Sequence, residues 1–262
     1  MNPEINLNFK EINSDKIDSL VMSIVSNKGG VGKTSIAICF GTYFALRQNK
    51  KTLIIELDSS PGDFGPLFDI GNDSSLDIAI KFPDRFKNYV KSIYKNLDVL
   101  KGFSNPINAE SIKEEEIQAL FHFMSESYDV IVIDTQTVLN GIIIDALKIS
   151  DNIILVSEST IESLSRISEL ISILNNKFLI DKSKFQLVIN KKRFFDLFKI
   201  KDISRILDFP VKGFFSFDKK FNKNLIVFDT KGLIKSKLNI EVSNLINSFI
   251  LSGVINGFTG KA

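Results

Sequence analysis

The stretch that most constrains this chain is Asn27-Lys28-Gly29-Gly30-Val31-Gly32-Lys33-Thr34-Ser35, which follows directly on the apolar run Leu20–Ser26. An apolar strand, a glycine-rich turn and the start of a helix, in that order, form the context of a phosphate loop. Glycine lets the backbone turn its N–H groups inward and approach an anion closely. The helix that follows presents its positive N-terminus to the same charge. On this reading Gly29, Gly30, Val31, Gly32 and Ser35 bind phosphate, Lys33 reaches the β- and γ-phosphates, and Thr34 offers its hydroxyl to Mg²⁺. A chance match to Gly-Gly-x-Gly-Lys-Thr/Ser in a chain of this length is on the order of one in a thousand. The expected ligands are therefore ATP and Mg²⁺.

The rest of the chain fits the same architecture. Leu20–Ser26, Thr52–Leu57, Leu97–Leu100, Val130–Ile133, Asn152–Val156 and Phe185–Ile189 read as buried strands. Helical patterns separate them over Ser35–Gln48, Ala109–Met124, Gly141–Ile149 and Ile161–Asn176. This alternation predicts an α/β, single-domain P-loop NTPase fold: a mostly parallel twisted sheet with helices on both faces. No repeat or linker divides it, so residues 20–255 are expected to form one domain, with residues 1–19 as an N-terminal arm and 256–262 as a C-terminal tail.

Composition excludes several alternatives. The chain has one cysteine, Cys39, and one histidine, His122, so it forms no internal disulfide and no cysteine–histidine metal site. Cys39 is expected in the core and His122 on a helix surface. The first 19 residues are polar and lack the apolar segment of a signal peptide, and no apolar run is long enough to span a membrane. A cytoplasmic protein is expected. Charge is uneven: residues 182–240 carry 15 Lys/Arg against 5 Asp/Glu, while the overall balance is only +2. That asymmetry fits either an anionic partner such as non-specific DNA or a solvated basic face.

Lys28-Gly29-Gly30-Val31-Gly32-Lys33-Thr34 resembles the deviant Walker A motif of the ParA/MinD ATPases. The likeness extends over about residues 20–235. Glu56-Leu57-Asp58 is similar to the family's acidic pair before a switch loop, Val130–Thr135 to its Walker B strand, and Val188-Ile189-Asn190 to the strand end whose Asn reads adenine. Phe215-Ser216-Phe217-Asp218 echoes a later nucleotide-side loop. Within the family, Ser60–Gly65 with Ser75–Asp77, Asp134–Leu139, and Ser157–Thr160 with Ser163-Leu164 resemble the CpaE/TadZ-like branch, associated with pilus assembly and polar positioning. Two departures stand out. Glu56 replaces a common Asp, and Gln136 replaces the proline common after the Walker B Asp-Thr, which predicts a more mobile second switch.

The resemblance implies roles. Asp134 holds Mg²⁺ through water with Glu56 in support, Asp58 orients the attacking water, and Asn190 reads the base. Lys28 crosses into the partner's site of an ATP-state homodimer. Three cellular roles follow: pilus or secretion positioning with an unknown cargo or activator, DNA partitioning through the basic 182–240 region, and membrane cycling. The last wants a basic amphipathic C-terminal helix. Ile240–Ile255 has no Lys or Arg among its polar positions, so membrane contact is not expected. Polar or nucleoid-associated placement are the corresponding localisations.

Overall fold

The computed structural model describes residues 19–258 except 60, 61, 106, 108, 110, 111, 194, 195, 197, 227 and 228. The expected arm, apart from Ser19, and the end of the tail lie outside the described residues, as do Ser60 and Pro61.

Apolar runs flanked by turns become the centre of one sheet. Its strands are β1 (Leu20–Val25), β2 (Thr52–Leu57), β3 (Lys91–Tyr94), β4 (Leu97–Leu100), β5 (Val130–Thr135), β6 (Asn152–Ser157), β7 (Phe185–Lys192) and β8 (Val211–Ser216). Their spatial order is β3-β4-β2-β5-β1-β6-β7-β8. Every pairing is parallel except β3 with β4. β2, β5 and β6 are buried at every position, as expected of parallel strands covered on both faces. The predicted fold class is therefore the observed one.

The helices are α1 (Lys33–Thr42), α2 (Phe64–Phe68), α3 (Leu76–Lys81), α4 (Glu114–Ser125), α5 (Gly141–Ile149), α6 (Ile161–Ser172), α7 (Ile200–Leu207), α8 (Lys219–Ile226), α9 (Thr230–Ile234) and α10 (Lys237–Leu251). α1 is buried from Ile36 to Thr42, between the sheet and α10. A helix apolar on all sides belongs in such a place. Cys39 is fully buried within it, and His122 lies on α4 facing Glu126 at 3.6 Å.

α10 buries Leu238, Val242, Leu245, Ile246, Phe249 and Ile250 and packs on α1 and β8. Its apolar face is thus taken up by the core. No helix among the described residues is long and apolar enough to cross a membrane. Two expected helices run on differently from their patterns. Those beginning at Ser35 and Ile161 both pass into a π-helical turn, Tyr43–Arg47 and Ile173–Lys177, a rare widening of the helix.

Candidate active site

The phosphate loop leaves β1, which lies between β5 and β6. Strand carboxyl ends near a break in connection order are where open α/β sheets bind ligands. Gly30 and Gly32 adopt φ of 73° and 97°, left-handed backbone that side-chain-bearing residues enter only at a cost. Gly32 caps α1, and a methyl group there would collide with the Asn190 amide nitrogen. That nitrogen donates to the Val31 carbonyl at 2.7 Å, in the protein interior. Asn190, at the carboxyl half of β7, therefore braces the loop from beneath. The adenine contact expected of Asn190 rests on the resemblance alone.

Above the loop lies a cleft of about 610 Å³, lined by Gly29, Gly30, Gly32, Lys33, Thr34 and Ser35 and, opposite them, Asp58, Asp63, Asp134 and Thr137. The side chains expected at the phosphates thus converge. Val31 is fully buried behind the loop and contributes backbone. Lys33 donates to the Thr137 hydroxyl at 3.4 Å. Burial lowers its pKa, and the negative charges of Asp134, Asp58 and Asp63 raise it again.

Asp134 ends β5 almost wholly buried. Burial raises its pKa from 3.8 to about 7; a hydrogen bond from Thr34 and the charge of Lys33 pull it down, and Glu56 and Asp63 push it up. Its Oδ1 is buried without a hydrogen-bond partner among the described residues. A buried, unsatisfied carboxylate oxygen beside a threonine hydroxyl at a phosphate loop is a fit for Mg²⁺, which takes one or two protein oxygens and completes its shell with phosphates and water. Thr34 and Asp134 are the residues that would hold it. No group of three His, Cys, Asp or Glu side chains among the described residues is arranged to hold a metal alone.

Glu56 also lines the cleft, and its carboxylate is held there by backbone donors. Its Oε1 accepts from the Phe64 N–H at 3.0 Å and its Oε2 from the Gly102 N–H at 2.9 Å. With both oxygens facing backbone donors, Glu56 clamps the segment after β2 against the end of β4.

The Asp134 shift has a measurable consequence. An acid with a higher pKa folded than unfolded binds more protons when folded, so its contribution to stability is full below about pH 4 and is lost as pH rises through about 7. The full difference is about 4 kcal/mol. Asp134→Asn is expected to remove this slope: melts of the nucleotide-free chain at about pH 5 and about pH 8 should lie closer together in the variant than in the parent. An equal gap in both would refute the assignment.

Lys28 stands apart from the cleft. Its ammonium lies 3.3 Å from Glu158 and 3.9 Å from Glu162, at the start of α6. Glu158 also receives Lys191 at 3.4 Å, and Lys191 donates to the Gly30 carbonyl and lines the cleft. Sequence reading missed Lys191, Asp63 and Thr137. Lys191 directly follows Asn190, and its position at a strand's carboxyl end was the available signal. Asp218, at the end of the Phe215–Asp218 loop, accepts from the Lys220, Phe221 and Leu238 N–H groups, so it caps α8 and ties it to α10.

A parallel sheet, a glycine-rich loop at its carboxyl edge, and a lysine, threonine and buried aspartate converging on one cleft define a P-loop nucleotide-binding protein. A family model for an AAA domain, AAA_31, matches residues 19–189. The chain belongs to this family, and its relatives include ParA and MinD proteins. A ParA family protein of Mycoplasma genitalium is 26% identical over 154 residues, 52% of this chain and 57% of that relative. The chain thus spans little more than half the length of that relative. A ParA family ATPase of Chlorobium tepidum superposes with a TM-score of 0.76 at 19% identity, covering 86% of this chain and 98% of that one. The MinD protein of Pyrococcus horikoshii, solved with Mg-ADP, gives 0.72 at 17% identity, covering 90% and 98%.

Proposed function

We propose that the chain is a slow Mg-ATP-dependent ATPase that closes into a homodimer around two ATP molecules and opens after hydrolysis. The observation that carries this reading is the position of Lys28. It belongs to the phosphate loop, yet its ammonium is held on Glu158 and Glu162, outside the lining of its own cleft. No arginine is among the residues lining that cleft. Phosphoryl transfer depends mainly on positioning and on neutralising charge at the γ-phosphate. A lysine that its own site does not use, at the rim of that site, is suited to supply the charge to a second copy.

Within one subunit, the loop N–H groups and the α1 N-terminus cradle the phosphates while Lys33 reaches the terminal ones. Mg²⁺ bound by Thr34 and Asp134 supplies further neutralisation of the phosphate oxygens. Asp58, at the cleft's far wall, orients the attacking water. The Lys28–Glu158 pair is partly solvent-exposed, and such pairs contribute about 0–1 kcal/mol. It parks the lysine without locking it. ATP shifts the equilibrium to the dimer only in so far as it binds the dimer more tightly.

Two cellular roles are weighed. Pilus or secretion positioning is supported by the CpaE/TadZ-like segments at 134–139 and 157–164. DNA partitioning is supported by the basic segment: Lys219, Lys220 and Lys223 are exposed on α8, whose Asn222 and Leu225 reach the mouth of the cleft. Lysines placed there would change surroundings with nucleotide state. Non-specific duplex DNA and the hydrolysis-blocked Asp58→Ala variant with Mg-ATP separate the two. Nucleotide-dependent binding that falls steeply with salt supports partitioning. No binding by a variant shown to be dimeric supports protein-directed positioning.

A further inference from the structure

β2 and β5 are neighbours, and the loops that follow them leave the sheet side by side. The Gln136 N–H donates to the Leu57 carbonyl at 3.2 Å. The Gln136 side chain then spans the two loops. Its Oε1 accepts from the Ser59 N–H at 3.0 Å and from the Ser59 hydroxyl at 2.7 Å. Its Nε2 donates to the Val138 carbonyl at 3.0 Å. One loop carries Asp58 and Asp63. The other carries Thr137, which Lys33 reaches. Where a proline side chain would make no hydrogen bond, the Gln136 amide serves as both acceptor and donor and joins the second loop to the first.

We propose that Gln136 is a positioning residue for hydrolysis, coupling the two loops so that the arrangement of the Asp134–Val138 loop at the phosphates sets the place of Asp58. This rests on the ATPase reading above. The loop bearing Asp58 is held at its far end by Glu56 through Phe64, and the Asp58 carbonyl accepts from Phe103 N–H at 3.2 Å. These contacts join it to α2 and to the segment after β4, away from the second loop. The Gln136 bridge joins it to the loop that follows Asp134 and carries Thr137, which Lys33 reaches. A change in that loop therefore moves Ser59, the residue next to Asp58.

The test compares the parent with Gln136→Met, similar in length but without the amide, and with Ser59→Ala. Gln136→Met is expected to lower kcat about tenfold, with KM for ATP and the affinity for a non-hydrolysable ATP analogue unchanged. Ser59→Ala, which keeps its N–H, is expected to lower it about threefold, and the double variant to be no worse than Gln136→Met. In the parent, the analogue should slow amide hydrogen exchange in a peptide covering residues 57–64, and Gln136→Met should lose that protection. Parental kcat and parental protection in both variants would overturn the coupling, as would a KM that rises with the fall in kcat. If Gln136→Met does not fold, Ser59→Ala decides by the same two readouts. A parent that binds the analogue but never hydrolyses ATP would sink the ATPase reading, and the exchange comparison would then decide the coupling on its own.

Discussion

Lys33→Ala is expected to abolish turnover and to weaken Mg-nucleotide binding at least about a hundredfold. Lys33 is the cation against which Asp134, Asp58 and Asp63 all act. Removing it leaves three carboxylates lining the cleft, with Lys191, which is paired with Glu158, as the other lysine among its lining residues. At an effective dielectric of about 20, unit charges about 4 Å apart interact by about 4 kcal/mol, enough to dominate the affinity. Lys33→Met keeps the methylenes and loses only the charge, so it separates packing from electrostatics. Both variants should melt cooperatively, yet show the same loss when titrated with Mg-ADP. Binding by Lys33→Met within a few-fold of the parent would show that the loop backbone and α1 carry the phosphates unaided.

Lys28→Ala should behave differently. It removes an ammonium from the rim, leaving Lys33, Thr34, Asp134 and the loop amides in place, so binding of Mg-ATP is expected to stay within about threefold of the parent. Turnover is expected to fall about a thousandfold, the scale on which a cation supplied in trans accelerates phosphoryl transfer. Splitting binding from turnover in this way separates a lysine that serves a partner's site from one that serves its own. Parental turnover per subunit in Lys28→Ala would refute the trans role. Loss of binding and turnover together would return Lys28 to its own phosphates.

The fold and the phosphate loop were legible because each rests on local signals. Leu20–Ser26 is apolar enough to be a central strand, and Gly30 and Gly32 mark left-handed backbone that few other residues adopt. What escaped reading had weak or distant signals. β3 is four residues with Lys and Ser among them, an edge strand whose exposed positions carry no apolar run. β8 lies between Pro210 and a polar turn with Gly213 inside it, and its burial is partial. The Glu56 clamp depends on where the end of β4 comes to rest, and the Lys28–Glu158 pair joins residues 130 positions apart. Asn190 shows a third kind of gap. Its strand was anticipated, but the bond that braces Val31 follows from how β7 sits against the loop, which only the packed sheet determines.

In this mechanism, nucleotide state sets the number of chains in the assembly. The direct measurement is the solution mass of the chain, by sedimentation or light scattering, with Mg-ADP and with a non-hydrolysable Mg-ATP analogue. The chain weighs 29.5 kDa. A single chain with Mg-ADP and twice that mass with the analogue, lost again in Lys28→Ala, is the predicted result. One mass in both states, from protein shown to bind both nucleotides, would contradict it.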